Sequence, residues 1–312
     1  MAGIAYLGPE GTFTEAALLQ MIDAGMVPQH GAAGALIPVD STSAALDAVR
    51  DGAAGYACVP IENSIDGSVM PTLDSLAIGT PLQIFAELTL DVAFNIVVQP
   101  GRTAAEVRTL AAFPVAAAQV RRWLAAHLPA AELRPANSNA DAAQQVADGN
   151  VDAAVSSPLA GSQRGLSALA EGVVDEANAC TRFVLVGPPG TPPARTGADR
   201  TSVVLRIANV PSALVSALAE FGIRGIDLTR IESRPTRTEL GTYMFFLDCV
   251  GHIDDDAVAE ALKALHRRCT DVRYLGSWPT GGLVGAAPPQ LDEASRWLAQ
   301  IRDGATDEGS AR

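Results

Sequence analysis

Apolar and polar positions change their period several times along this chain. A short apolar run over 4–7 (IAYL) gives way to the polar loop GPEGT, and helix-spaced apolar positions follow from about residue 12. A strand around 37–39, a helix from about 43 and a strand over 56–59 come next. This βαβα order predicts a parallel sheet with helices packed on it. Residues 84–98 (IFAELTLDVAFNIVV) read as one long extended stretch, after which alternation resumes. Helices are expected over about 103–127, 139–148 and 158–171, with short strands over 132–135 and 151–155 and Gly149 ending the middle helix. The pattern describes two α/β lobes, the first over about 1–85 with 180–187 and the second over about 86–179.

After a strand over 183–186 comes GPPGTPPARTGADR, where four prolines and three glycines sit among small polar residues. This composition marks an interdomain linker over 188–200. From residue 201 the periodicity predicts a strand, a helix over 211–221, strands around 227–233 and 242–250, a helix over 254–268 and a strand over 272–275. The order βαββαβ within 201–278 is ferredoxin-like. In the tail, 279–312, Leu291, Ala294, Trp297, Leu298 and Ile301 share one helical face, which predicts a docking helix followed by a disordered end.

Length and composition narrow the function. At 312 residues, two or more domains with a core each are expected. No stretch reaches the roughly 18 apolar residues that a membrane span needs. The 22 Lys and Arg against 35 Asp and Glu give a formal charge of −13, which disfavours nucleic acid and anionic membranes as partners. A small anion would need a local positive site. The beginning MAGIAYLGPEGTF has no basic start and no cleavage signature, so a cytoplasmic location is expected. Cys58, Cys180, Cys249 and Cys269 lie far apart with no metal-ligand spacing, so free thiols and no metal are expected.

Three segments hold candidate chemistry. GPEGTF at 8–13 follows a strand, and Thr12 with Glu15 has the spacing of a capping box. On spacing alone the segment reads as a capped turn first, with an anion site at a helix start as the functional alternative. PIENS at 60–64 ends another strand and places Glu62, Asn63 and Ser64 in a polar loop, either an Asx-type turn with a cap or a site. TRF at 181–183 brings Thr181 and Arg182 to a strand start, where arginine suits a carboxylate. None of His30, His127, His252 and His266 falls in these segments, so histidine-based nucleophilic catalysis is not expected.

Together GPEGTF, PIENS followed by Gly67 and Ser68, and TRF resemble the prephenate dehydratase family over nearly the whole chain. Residues 209–248, with ESRP at 232–235, resemble the ACT domain that accompanies that activity. The resemblance implies a catalytic domain over 1–187 similar in fold to type II periplasmic binding proteins, with prephenate between the lobes, and no cofactor. It assigns Thr181, Asn63 and Glu62 to catalysis and Thr12, Ser64, Gln119, Arg182 and Phe183 to substrate binding. Thr181 would donate to the departing hydroxyl, with full proton delivery by a water or a protonated Glu62. Arg182 and the helix start at Thr12 would meet carboxylates.

The same resemblance implies inhibition by phenylalanine bound at Asn209, Val210, Ser212, Ala213, Leu214, Glu232, Ser233, Arg234 and Pro235, in a homodimer or homotetramer joined through ACT and catalytic domains. The chain departs from the family twice. Ala112 stands where a serine is common, and Ser212 where glycine is common; Ser212 is expected to cap the following helix. Arogenate dehydratase and a non-catalytic amino-acid or organic-acid binding protein are the rival readings. No fused chorismate mutase is expected, since no helical segment of that kind precedes Gly3.

Overall fold

The computed structural model describes residues 3–28, 34–176, 179–236, 241–282, 284–289 and 292–304, so His30, Asn178, Leu291 and the expected disordered end lie outside the described residues. The chain divides into two compact units, one of residues up to 82 with 86–188 and one of 83–85 with 189 onward.

The first lobe of the first unit contains β1 (Gly3–Leu7), α1 (Phe13–Asp23), β2 (Leu36–Val39), α2 (Thr42–Arg50), β3 (Ala54–Asn63), the short β4 (Gly67–Ser68), α3 (Met70–Ala77) and β5 (Gln83–Asp91). The second contains β6 (Phe94–Val98), β7 (Thr109–Ala112), α4 (Pro114–Gln119), α5 (Arg121–His127), β8 (Glu132–Pro135), α6 (Asn139–Ala147), β9 (Ala153–Ser156), α7 (Pro158–Gln163) and β10 (Ser167–Val173). The chain then returns through β11 (Cys180–Gly187) to the first sheet, whose order is β2-β1-β3-β11-β5, while the second runs β10-β6-β9-β7-β8. Side-chain oxygens of Thr12, Ser41, Ser138 and Ser157 cap α1, α2, α6 and α7, so these helices start where the strands end.

Three expectations for this unit are corrected. The extended stretch 84–98 is two strands in different sheets, because the chain crosses between lobes after β5. The helix expected over 103–127 is a single 3-10 turn, Ala104–Glu106, then β7 and two short helices. Leu110, Ala111 and Ala112 are fully buried between neighbouring strands, so tertiary packing overrides their helical propensity. The helix expected over 158–171 stops at Gln163, and Gly165 at φ +65 turns the chain into β10.

The second unit contains β12 (Asp199–Arg206), α8 (Ala213–Gly222), β13 (Leu228–Pro235), β14 (Tyr243–Val250), α9 (Asp256–Arg268), β15 (Asp271–Pro279) and α10 (Asp292–Arg302). The antiparallel sheet β13-β14-β12-β15 is the ferredoxin-like arrangement. Val203, Leu205 and Leu247 pack on one face against Phe221 of α8 and Ala257, Ala261 and Leu265 of α9. Ser212 does not cap α8. Its backbone is left-handed at φ +67, the one non-glycine positive φ among the described residues, and its side chain makes no capping bond, which needs an extended backbone. The expected docking face of α10 is not buried: Trp297, Leu298 and Ile301 are exposed. No helix among the described residues is long and apolar enough to cross a membrane.

Candidate active site

The antiparallel pairing of β3 with β11 sets Thr181 opposite Asn63 and Arg182 opposite Glu62. Successive strand residues project to opposite faces. The two motifs are therefore divided, with Asn63 and Thr181 on one side and Glu62 and Arg182 on the other. Asn63 Nδ2 donates to Thr181 Oγ1 at 2.9 Å, and Thr181 is only 8% exposed. Asn63 Oδ1 accepts the N–H groups of Ile65 at 2.8 Å and Asp66 at 2.9 Å, which fixes the orientation of its amide. A threonine oxygen that accepts from Asn63 keeps its own hydrogen to donate elsewhere.

On the opposite face Arg182 donates to Glu62 Oε2 through Nη2 at 2.8 Å and Nε at 3.2 Å, and to Glu87 Oε2 through Nη1 at 3.2 Å. The expected substrate contact by Arg182 and proton delivery by Glu62 are not what this arrangement brings together. Strand alternation turns both away from Thr181 and commits them to each other, with Glu87 as a third member that no sequence motif signals. Phe183 is likewise a core residue, packed with Ile4, Tyr6, Cys58 and Leu185 in the first lobe. Ser64 joins the strand ends: its Oγ accepts the Cys180 N–H at 2.9 Å and its N–H donates to the Cys180 carbonyl at 2.9 Å.

At the end of β1, Thr12 Oγ1 donates to the Leu7 carbonyl at 3.0 Å and accepts the Glu15 N–H at 3.3 Å. The first i to i−4 bond of α1 is made by Ala16 to the Thr12 carbonyl, so the N–H groups of Phe13 and Thr14 precede the helical ladder. Both residues line a cavity of about 1020 Å³ shared with Phe113 and Asn139 of the second lobe. The GPEGT loop is itself held by the second lobe. Ser157 Oγ donates to the Gly11 carbonyl, and a Cβ on Gly11, at φ +86, would stand 2.7 Å from the Ala160 Cβ. Gln163 Nε2 reaches the Glu15 carboxylate at 3.4 Å, and Phe13 meets Phe94 edge to face with centroids 5.6 Å apart. On the second-lobe side of this tie only Ser157 has a sequence signal, a serine ahead of proline at a helix start.

Gln119 ends α4 and borders a second interlobe cavity of about 570 Å³, together with Ile65, Asp66 and Ala179. Its Oε1 is buried and has no hydrogen-bond partner among the described residues. Ala112 packs into the apolar cluster of the second lobe beside Phe94 and Val155, so no hydroxyl is presented there. Beneath the site, burial, with the charges of Glu15 and Glu10, pushes the Tyr6 hydroxyl far up its range, and burial does the same to the Cys58 thiol.

In the second unit Asn209, Val210 and Ser212 form an exposed turn leading to Ala213 and Leu214 of α8. Pairing with β14 places Glu232 and Arg234 on the sheet face of Phe246 and Met244, and Ser233 and Pro235 on the helix-covered face. β13 is an edge strand, and the nine expected ligand-pocket residues are thus split between a helix start and a sheet edge.

The chain matches the family model for prephenate dehydratase over residues 4–191 and the ACT domain model over residues 201–267. It is 77% identical to the prephenate dehydratase of Mycobacterium tuberculosis (strain ATCC 25618 / H37Rv), covering 100% of this chain and 98% of that one. Among solved structures it resembles prephenate dehydratase from Arthrobacter aurescens in complex with L-Phe, at 40% identity and a TM-score of 0.84 over 97% of this chain and 100% of that one. It also resembles GqqA, described as a novel type of quorum quenching acylase, at 29% identity and a TM-score of 0.78 over 89% of this chain and 97% of that one.

Proposed function

The chain belongs to the prephenate dehydratase family of lyases, and from that premise we propose that its interlobe region converts prephenate to phenylpyruvate with Thr181 as the donor to the departing hydroxyl. The observation that carries this reading is the 2.9 Å bond from Asn63 to Thr181, which joins two motifs at a buried hydroxyl and leaves that hydroxyl's hydrogen to donate. In the reaction the ring carboxylate leaves as CO2, its bonding electrons enter the ring, the C–O bond breaks, and hydroxide departs as water after taking a proton that comes ultimately from solvent. Aromatisation supplies the driving force. The protein's part is to hold the dicarboxylate and to stabilise negative charge growing on the leaving oxygen.

The N–H groups of Phe13 and Thr14 at the α1 start are suited to one carboxylate, since Thr12 holds the loop while the helix end carries partial positive charge. Gln119 Oε1 offers an acceptor for the substrate hydroxyl hydrogen. Glu62 and Arg182 act from behind, as a charged brace for the two strands.

Phenylalanine binding at the α8 start and the β13 edge controls this activity. A solved relative described in complex with L-Phe supports phenylalanine as the ligand. Exposed Val215 and Ile223 at α8 and Ile231 on β13 fit an ACT domain that pairs with a second copy, in a homodimer or homotetramer. Free Cys58, Cys180, Cys249 and Cys269 accord with a reducing, cytoplasmic setting.

Turnover of prephenate and of arogenate by the full-length protein, with and without phenylalanine, tests the proposal. Phenylpyruvate formed from prephenate and suppressed by phenylalanine is the expected result. Turnover of arogenate alone would move the substrate to the amine, and acylase activity with neither would overturn the reading.

A further inference from the structure

The segment that returns from the second lobe to β11 does more than connect. Asp175 lies on it, with its side chain only 10% exposed, six positions before Thr181 in sequence. Its carboxylate accepts two N–H groups of the first turn of α5, Arg122 N–H at 2.6 Å and Trp123 N–H at 3.1 Å. Its own N–H donates to the Gln119 carbonyl at 2.8 Å. These three bonds surround one backbone event. At Val120, φ −125 and ψ 14 break the helix between α4 and α5, so Gln119 ends one helix instead of continuing into the next. The break releases backbone groups that need partners, and Asp175 supplies them on both sides. The Arg122 guanidinium closes the arrangement by donating to the Asp175 carbonyl and pairing with Glu176 at 2.9 Å.

We infer that Asp175 is a positioning residue for Gln119: by stabilising the break at Val120 it holds the Gln119 amide at the interlobe cavity. This rests on the reading of Gln119 as a substrate contact. The buried Oε1 of Gln119, which has no hydrogen-bond partner among the described residues, is the feature that needs such support, because its direction is then set by its backbone.

The test is a double-mutant cycle on the full-length protein with prephenate, read as kcat and KM separately, using Gln119→Leu, Asp175→Ala and the double variant, with Asp175→Asn as the conservative form. Gln119→Leu and Asp175→Ala should each raise KM by roughly tenfold, and the double variant should be no worse than Gln119→Leu alone. Asp175→Asn, whose amide oxygen still accepts from the α5 start, should recover a large part of the loss; it also serves if Asp175→Ala fails to fold. Full addition of the two effects, or an Asp175→Asn variant as impaired as Asp175→Ala, would overturn the positioning role while leaving Gln119 as a substrate contact. A Gln119→Leu variant with unchanged kcat and KM would instead overturn the site reading and the inference with it.

Discussion

Asn63 and Thr181, 118 positions apart in sequence, are joined by a hydrogen bond whose direction is set, because the Asn63 carbonyl oxygen is already held by the N–H groups of Ile65 and Asp66. The direction matters more than the distance. A donor to departing hydroxide must have a hydrogen to spare, and Thr181 has one only if it accepts from Asn63.

Asn63→Asp therefore has a specific expected effect. The carboxylate still accepts from Ile65 and Asp66, but it now draws the Thr181 hydrogen to itself. kcat should fall by about 100-fold with KM changed much less, since a bond made mainly in the transition state is lost. Steady-state kinetics alongside circular dichroism would check this, and a wild-type kcat would show that the direction is immaterial.

Arg182 tests the division of the two strand faces. Its guanidinium is buried between Glu62 and Glu87, and removing one partner of a buried ion pair costs about 3–5 kcal/mol. Arg182→Ala should lower the thermal midpoint strongly while the folded fraction keeps its KM for prephenate within a few fold. A large rise in KM without loss of stability would make Arg182 a substrate contact after all.

Much of this arrangement was legible in the sequence. The βαβα alternation gave the lobes, the proline-rich segment preceded β12, and PIENS and TRF named the residues that meet across β3 and β11. What failed has physical causes. Alanine-rich β7 is almost wholly buried, and the run through β5 and β6 carries no glycine or proline where it crosses, so periodicity cannot separate strand from helix in the first or mark the crossover in the second. Adjacent motif residues look like one cluster in the sequence, although a strand sends Glu62 and Asn63 opposite ways. Glu87 and Asp175 act through tertiary contacts that no local spacing encodes.

Ser212 is the place where sequence and backbone disagree most openly. A serine at φ +67 adopts a conformation that glycine occupies without steric cost, so Ser212→Gly should stabilise the protein by about 1 kcal/mol, offset in part by the freer unfolded chain. Denaturant titration would detect this. Calorimetry should show phenylalanine binding to wild type and only a modest change in the variant. Binding seen only in Ser212→Gly would mean that the side chain closes the pocket.

The cysteines give an independent check on burial. Burial pushes the Cys58 thiol up, and burial followed by the Asp248 charge pushes Cys249 up to about 12, so neither supplies thiolate at neutral pH. Cys180 is partly exposed and adjoins Thr181. A small thiol reagent should label Cys180 well before Cys58 and Cys249, which should react only on unfolding, and activity should fall in step with Cys180 labelling. Rapid labelling of Cys58 in active protein would contradict the packing described around β3.

The most direct test of the account is the turnover of prephenate by Thr181→Ala compared with wild type, measured as phenylpyruvate formed under saturating substrate with folding verified. If the Thr181 hydroxyl stabilises the departing group as proposed, its loss should lower kcat by at least about 100-fold, close to 3 kcal/mol of transition-state stabilisation, while KM moves by only a few fold. A Thr181→Ala protein with kcat near that of wild type would contradict the assignment of Thr181 and the interlobe mechanism built on it.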